Sequence, residues 1–235
     1  MAIRVQKDPM GMGGRAWYAS TAADLAALPR EAADLVPARA ADLFRGAPES
    51  IRQLAGEAPL PGMRRWLSSL GEARCELEIY ATRHCGREAR LRFHFASGWA
   101  PSFRGATLKA AAPCPEIVEQ VHAVTGAIDY HFGGSGTLVA LDELETLRAL
   151  VRGQKVMSFD EIESALGARP ELGSYVGVYE KDGDWLCVDT AGHTLWTGGE
   201  WLDGSLVEPA ADITQVLDRF FEDLAEQRYF IPGTC

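Results

Sequence analysis

One dipeptide, Asp182-Gly183, restricts what this chain can fold into more than any other pair in it. It lies with Lys181 between Tyr175–Glu180 and Asp184–Asp189, two runs with the composition of β-strands. Asp-Gly tolerates positive φ at both central positions of a tight turn, so the segment reads as an antiparallel hairpin. A second turn at Ala191-Gly192 leads to His193–Trp196, and Gly198-Gly199 leads to Trp201, which extends the hairpin to a small meander. Asp212 then caps a helix, with Gln215 three positions on, and Ile213, Val216, Leu217, Phe220, Phe221 and Leu224 form one apolar stripe along it. Such a stripe must be covered, and the meander is the nearest sheet to cover it.

Upstream, Pro115 opens a helix with Ile117, Val118, Val121 and Val124 on one face and Gly126 at its end. Leu138, Leu141, Leu144 and Leu147 predict another helix that stops before Gly153, and Ser158 to Glu161 spells a capping box ahead of Ile162 and Leu166. The first third reads as a polar lead-in at Met10–Gly14 followed by three short helices opened by Pro37, Pro48 and Pro61. After Gly71 the period changes from 3.6 to 2: Cys75, Leu77 and Ile79 alternate with Arg74, Glu76 and Glu78, and Leu91, Phe93 and Phe95 with Arg90, Arg92 and His94. Pairing these strands across Ala81–Ala89 sets Glu76 and Glu78 against Arg90 and Arg92 on a solvent face, an opposite-charge match. The fold class expected is α+β, a twisted, mostly antiparallel sheet with packed helices.

Charge divides the chain. Residues 1–110 hold 16 Lys/Arg and 11 Asp/Glu, net +5, whereas residues 111–235 hold 7 and 22, net −15, together the −10 of the whole. Two parts are expected, a basic helical and β-hairpin part over 1–110 and an acidic α+β part over 111–235. Concentrated negative charge costs self-repulsion and suits a basic partner, while it disfavours nucleic acid. No apolar run reaches the length of a membrane span, and Met1–Arg15 lacks the pattern of a secretory leader, so a cytoplasmic protein without membrane partners is expected. Cys75, Cys85, Cys114, Cys187 and Cys235 are odd in number and form no CxxC pair, which favours reduced thiols.

The candidate contact residues gather in the acidic part. Glu180, Asp182, Asp184, Asp189, Glu200, Asp203 and Glu208 surround Trp185, Trp196 and Trp201 within about thirty residues. Tryptophan is enriched at binding hot spots and flanking carboxylates steer a basic partner, so Glu180, Asp182, Asp184, Asp189, Trp196, Glu200, Trp201 and Asp203 are taken as the partner-binding set. Other constellations are weaker. His84-Cys85 are adjacent in a hairpin loop and point apart; Cys114, His122 and His131 match no zinc spacing; Gly133–Gly136 lacks the Lys-Ser/Thr of a phosphate loop. The hairpin carboxylates lack the twelve-residue calcium-loop pattern. No catalytic residue, metal or cofactor is expected.

The succession of a glycine-ended helix, "L-V-A-L-D-E-L" at 138–144, "G-D-W-L-C-V-D-T-A-G-H-T-L-W" at 183–196 and "A-A-D-I-T-Q-V-L-D-R-F-F-E-D-L" at 210–224 resembles the SUKH superfamily, the Smi/Knr-type fold, over about Pro113–Glu226. The chain departs from that family in carrying Thr125-Gly126 where Asn-Gly or Gly-Gly is usual, and in Val151–Leu172, an insertion with its own helix. The resemblance implies an immunity protein that binds and blocks a cognate secreted antibacterial toxin, and together with the charge split it gives the expectation of a non-catalytic protein that occludes a positively charged active site. A regulatory scaffold of the same fold and a small hydrolase or transferase using His131 or His193 are the alternatives.

Overall fold

Asp182 (φ 53°) and Gly183 (φ 87°) form the expected two-residue turn, and the sheet extends from it across the whole molecule. The computed structural model describes residues 3–7, 13–82, 86–104, 109–130, 136–157, 159–198 and 211–230. The first part contributes strands β1 (Arg4–Lys7) and β2 (Gly14–Ala19), helices α1 (Ala22–Ala26), α2 (Arg30–Ala33), α3 (Ala38–Gly46), α4 (Glu49–Glu57) and α5 (Pro61–Leu70), and the hairpin β3 (Arg74–Thr82) and β4 (Gly86–His94). Next come β5 (Pro101–Phe103), α6 (Glu116–Thr125), β6 (Ile128–Tyr130), β7 (Thr137–Leu138), β8 (Glu145–Thr146), α7 (Leu147–Arg152) and α8 (Phe159–Ala168). The meander β9 (Val176–Lys181), β10 (Asp184–Val188) and β11 (Thr194–Trp196) leads to the closing helix α9 (Ile213–Ala225). All described strands pair antiparallel in the order β1-β2-β3-β4-β5-β6-β7-β9-β10-β11, with β8 also pairing β9, which makes this an α+β fold.

Register assigns the two faces. Trp17 opposes Ile79, Leu77 opposes Leu91, and the apolar row continues through Phe103, Ile128, Leu138, Tyr179 and Leu186 to Trp196. This row joins α3, α4, α5, α6 and α9 in one buried cluster. Trp66, fully buried on α5, sits 5.4 Å from Phe221 of α9 and 6.4 Å from Phe103 of β5. Aromatic pairs of this kind add about 0.5–1.5 kcal/mol each beyond their burial. A smaller cluster of Leu147, Leu150, Val151, Val156, Ile162, Cys187 and Leu195 forms under α7 and α8; Leu195 alternates with Trp196, so it lies on the other face of the meander.

Several expectations are corrected. The boundary at residue 110 separates no cores, because one sheet and one cluster run through it. The closing helix does cover its apolar stripe, but against α5 of the first part as well as the sheet. The two helices approach so closely that Gly62 N donates to Asp218 Oδ1 at 2.6 Å and a Cβ at Gly62 would collide with the Asp218 carbonyl oxygen. Strands β1 and β2 were not foreseen, since Arg4–Lys7 is wholly exposed and Gly14–Ala19 has no β-branched residue to signal a strand. The four leucines 138, 141, 144 and 147 are all buried, yet they belong to β7, a 3₁₀ turn, its C-terminal edge and α7 rather than one helix. Strand β9 claims the backbone on both sides of that turn, at 137–138 and at 145–146. Ser158, His131, 133–135, His84-Cys85, Glu200, Trp201 and Asp203 lie outside the described residues. Among the described residues no helix is long and apolar enough to cross a membrane.

Gly62→Ala should push α5 and α9 apart and cost about 1–3 kcal/mol of stability, read as a lowered urea midpoint with an unchanged slope. An unchanged midpoint would show that the helix pair gives way without cost.

Candidate functional site

On the face opposite the apolar row, register sets a line of polar side chains across the sheet: Glu76 opposes Arg92, then Ser102, Asp129, Thr137, Glu180 and Trp185 follow in turn. Glu78 opposes Arg90 beside it. The charge match of the hairpin is as expected, but this is no solvent face: Glu76 is 4%, Glu78 5%, Arg90 9% and Asp129 3% exposed. Charges withdrawn from water must be paired, and here they are. Arg92 Nε lies 2.7 Å from Glu78, which also accepts from Tyr80 at 2.9 Å. Glu76 meets Arg4 at 3.2 Å, Arg74 at 3.6 Å, His94 at 3.4 Å and the Ser20 hydroxyl at 3.0 Å. Arg90 spans Glu88 and Asp129, the latter at 2.6 Å, and Arg104 joins Glu88 at 2.9 Å to Glu143 at 3.0 Å. Burial, reinforced by Glu78, pushes the Tyr80 phenol well above its ordinary pKa.

Glu76, Glu78 and His94 carry metal-type ligand atoms within 4.8 Å of one another. The guanidiniums of Arg4, Arg74 and Arg92 already hold both carboxylates, so a divalent cation entering there would meet net positive charge.

The row ends in a groove of about 610 Å³ lined by Thr137, Val139, Glu143, Glu145, Lys155, Glu180 and Trp185. Glu180 Oε1 accepts from Gly183 N at 2.7 Å, which ties its carboxylate to the hairpin turn. Burial raises its pKa above the usual carboxylate value, and Asp182, Asp184 and Asp129 add to the rise against that hydrogen bond. The half-buried indole of Trp185 donates to the Lys155 carbonyl oxygen at 2.9 Å, and Lys155 Nζ reaches Glu145 at 2.8 Å. Met157 N donates to Gly183 O at 3.0 Å, and the Met157 side chain lies over the turn where Gly183 has no Cβ, 72% exposed. Asp182 is exposed and Asp184 half-buried at this tip.

The sequence-derived set is thus divided. Glu180 lines the groove, and Asp182 and Asp184 stand close to it at the hairpin turn. Trp196 is a correction: it opposes Leu186 on the apolar face and is 4% exposed, so its ring belongs to the core. Asp189 stands at the far end of β10, about 17 Å from Asp184 by strand rise. There it accepts from Ala191 N and His193 N at 2.9 Å each and from His193 Nδ1 at 2.8 Å, which builds the turn. Burial opposes ionisation of Asp189, but the His193 hydrogen bonds hold its carboxyl below the usual range. Glu200, Trp201 and Asp203 fall outside the described residues. Glu143, Glu145, Lys155 and Met157 were not singled out from the sequence; no periodicity marks them, because strand pairing around β9 and the segment 151–172 assemble them.

No family model matches the chain, and no curated protein and no solved structure matches it.

Cys75, Cys114 and Cys187 are free; burial pushes the first two thiols up to about 12 and about 11, and raises the third as well, so at neutral pH none is a thiolate. His122 is fully buried with Nδ1 2.7 Å from Val118 O and Nε2 2.7 Å from Val139 O, pinning α6 to the segment after β7. Two carbonyl acceptors suit a doubly protonated ring. Taking an imidazolium wholly out of water costs more than one such bond returns, and burial holds the pKa below its ordinary value despite both bonds and Asp142.

Two measurements probe this region. Arg90→Met or Asp129→Leu alone should each cost about 3–5 kcal/mol, and the double variant less than their sum by about 1–3 kcal/mol, in urea titrations. Additive losses would remove the pair from the account. Below about pH 6.5 the unfolded His122 ring binds a proton that the folded ring resists, so folding stability falls with pH there. His122→Gln should flatten the difference in urea midpoint between pH 7.5 and pH 5.5; an equal difference in both proteins would contradict a neutral buried ring.

Proposed function

We propose that the chain is a non-catalytic immunity protein of the SUKH type, which neutralises a secreted antibacterial toxin in the cytoplasm by contact alone. The observation that carries this reading is the acidic end of the sheet: Glu143, Glu145 and Glu180 line the groove with the half-buried Trp185, and the hairpin turn beside it carries Asp182, Asp184 and the exposed Met157. An apolar centre within a polar rim is the anatomy of a protein interface, and the sign of the rim selects a cationic surface. A toxin that cuts or modifies a polyanion presents such a surface at its own active site, and covering it with carboxylates blocks the substrate. The resemblance of 113–226 to the SUKH pattern adds the expectation of a cognate toxin.

Co-expression with the product of the adjacent open reading frame tests the reading: survival and co-purification are expected. The variant Glu180→Gln/Asp182→Asn/Asp184→Asn should slow association about tenfold at low salt and reduce its salt dependence, and Met157→Glu should speed dissociation. If the neighbouring product is harmless, or the triple variant binds with unchanged rate and salt slope, this function is wrong. A partner that binds through the same residues but is no toxin would instead indicate a regulatory scaffold.

A further inference from the structure

We propose that the groove beside Trp185 receives an arginine side chain projected by the partner, an inference that rests on reading the acidic end as the contact surface. Three carboxylates line the groove, and two already hold cationic heads from this chain: Glu145 holds Lys155 at 2.8 Å and Glu143 holds Arg104 at 3.0 Å. The third is different. Glu180 is half-buried, its Oε1 accepts only a backbone N–H from Gly183, and among the described residues it makes no ion pair. A carboxylate half-withdrawn from water without a counter-charge is the place where an arriving cation gains most, because each removes the other's desolvation penalty. Burial also lifts its pKa, in keeping with a charge that lacks compensation.

The wall next to it favours a guanidinium over an ammonium. Trp185 stands opposite Glu180 in the β9–β10 register and lines the same groove, and its indole N–H is committed to the Lys155 carbonyl oxygen, so the ring is fixed beside the carboxylate with its donor already used. Indole is the best cation–π surface among side chains, and a planar guanidinium can stack on it while directing N–H groups at a carboxylate in plane. Guanidinium is also the more weakly hydrated cation and loses less on entering a half-enclosed groove. At about 610 Å³ the groove lies within the roughly 300–1,000 Å³ of ligand sites, wide enough for the side chain together with the backbone that presents it.

The experiment uses the full chain and N-acetyl-arginine methylamide, followed by the Trp185 indole N–H resonance, which Trp185→Phe assigns. A saturable shift with a dissociation constant in the millimolar range is expected. The lysine analogue should bind about tenfold more weakly, and Glu180→Gln, with an unchanged urea midpoint, should weaken the arginine probe about tenfold or more. Absence of a saturable shift, equal binding of the lysine analogue, or full binding by Glu180→Gln would overturn the proposal. Should the arginine probe fail while the triple carboxylate variant still slows the partner, the groove inference falls and the contact reading stands. If the probe binds as expected and the triple variant associates at the unaltered rate, the contact reading falls, and with it the partner's arginine.

Discussion

The guanidinium of Arg90, held between Glu88 and Asp129, joins β4 to β6 over a three-residue strand that pairs with β4 at only two positions. At that narrow point the backbone ladder is short, and the side chains above it supply a second connection between the basic first part and the acidic second part. Arg104 with Glu143 and Arg65 with Glu226 repeat the pattern elsewhere. Part of the negative excess is therefore answered inside the chain. The carboxylates of Glu180, Asp182 and Asp184 collect at the end of the polar line farthest from this basic part, which is why the acidic groove lies there.

Burying so many charges on a sheet face carries a cost, and their mutual closure is what makes it tolerable. Glu76 with two guanidiniums, the His94 ring and a hydroxyl, and Glu78 with Arg92 and Tyr80, leave few acceptor positions open. Such a network is intolerant of partial loss, since each removed member strands a charge away from water. It also fixes the strand register, because a slip of one residue would carry the charges into the aromatic core and Leu77 and Leu91 out of it.

Local grammar made much of this legible from the residues alone. The Asp182-Gly183 turn, the β3–β4 register with its charge match, the ends of α6 and the cap of α9 by Asp212 each depend on neighbours within a few positions, and each is found as read. What escaped depends on pairing at long range. Strand β2 is a strand because β3 lies beside it, the leucines at 138–147 leave helical geometry because β9 recruits them, and Trp196 turns inward through its register with Leu186. The carboxylates of the site were recognised by their density in the chain, but Asp189 shows the limit of that measure: close in sequence, it serves a turn at the opposite end of the same strand. The helix within 151–172 was visible from the residues. That this segment places Lys155 in the groove wall and Met157 over the hairpin turn was not, since only the folded meander brings them to Trp185 and Gly183.

The close approach of α5 and α9 at Gly62 bears on how such a protein can be inherited. The carboxylate-bearing segment cannot be shuffled between genes as a portable cassette, because α9 on its own would present Phe221 and the rest of its stripe to water where Trp66 now stands. Recombination that preserves the acidic groove must bring the first five helices with it, so variation among descendants of this chain is channelled into the hairpin tip and the α7–α8 excursion rather than into exchange of halves.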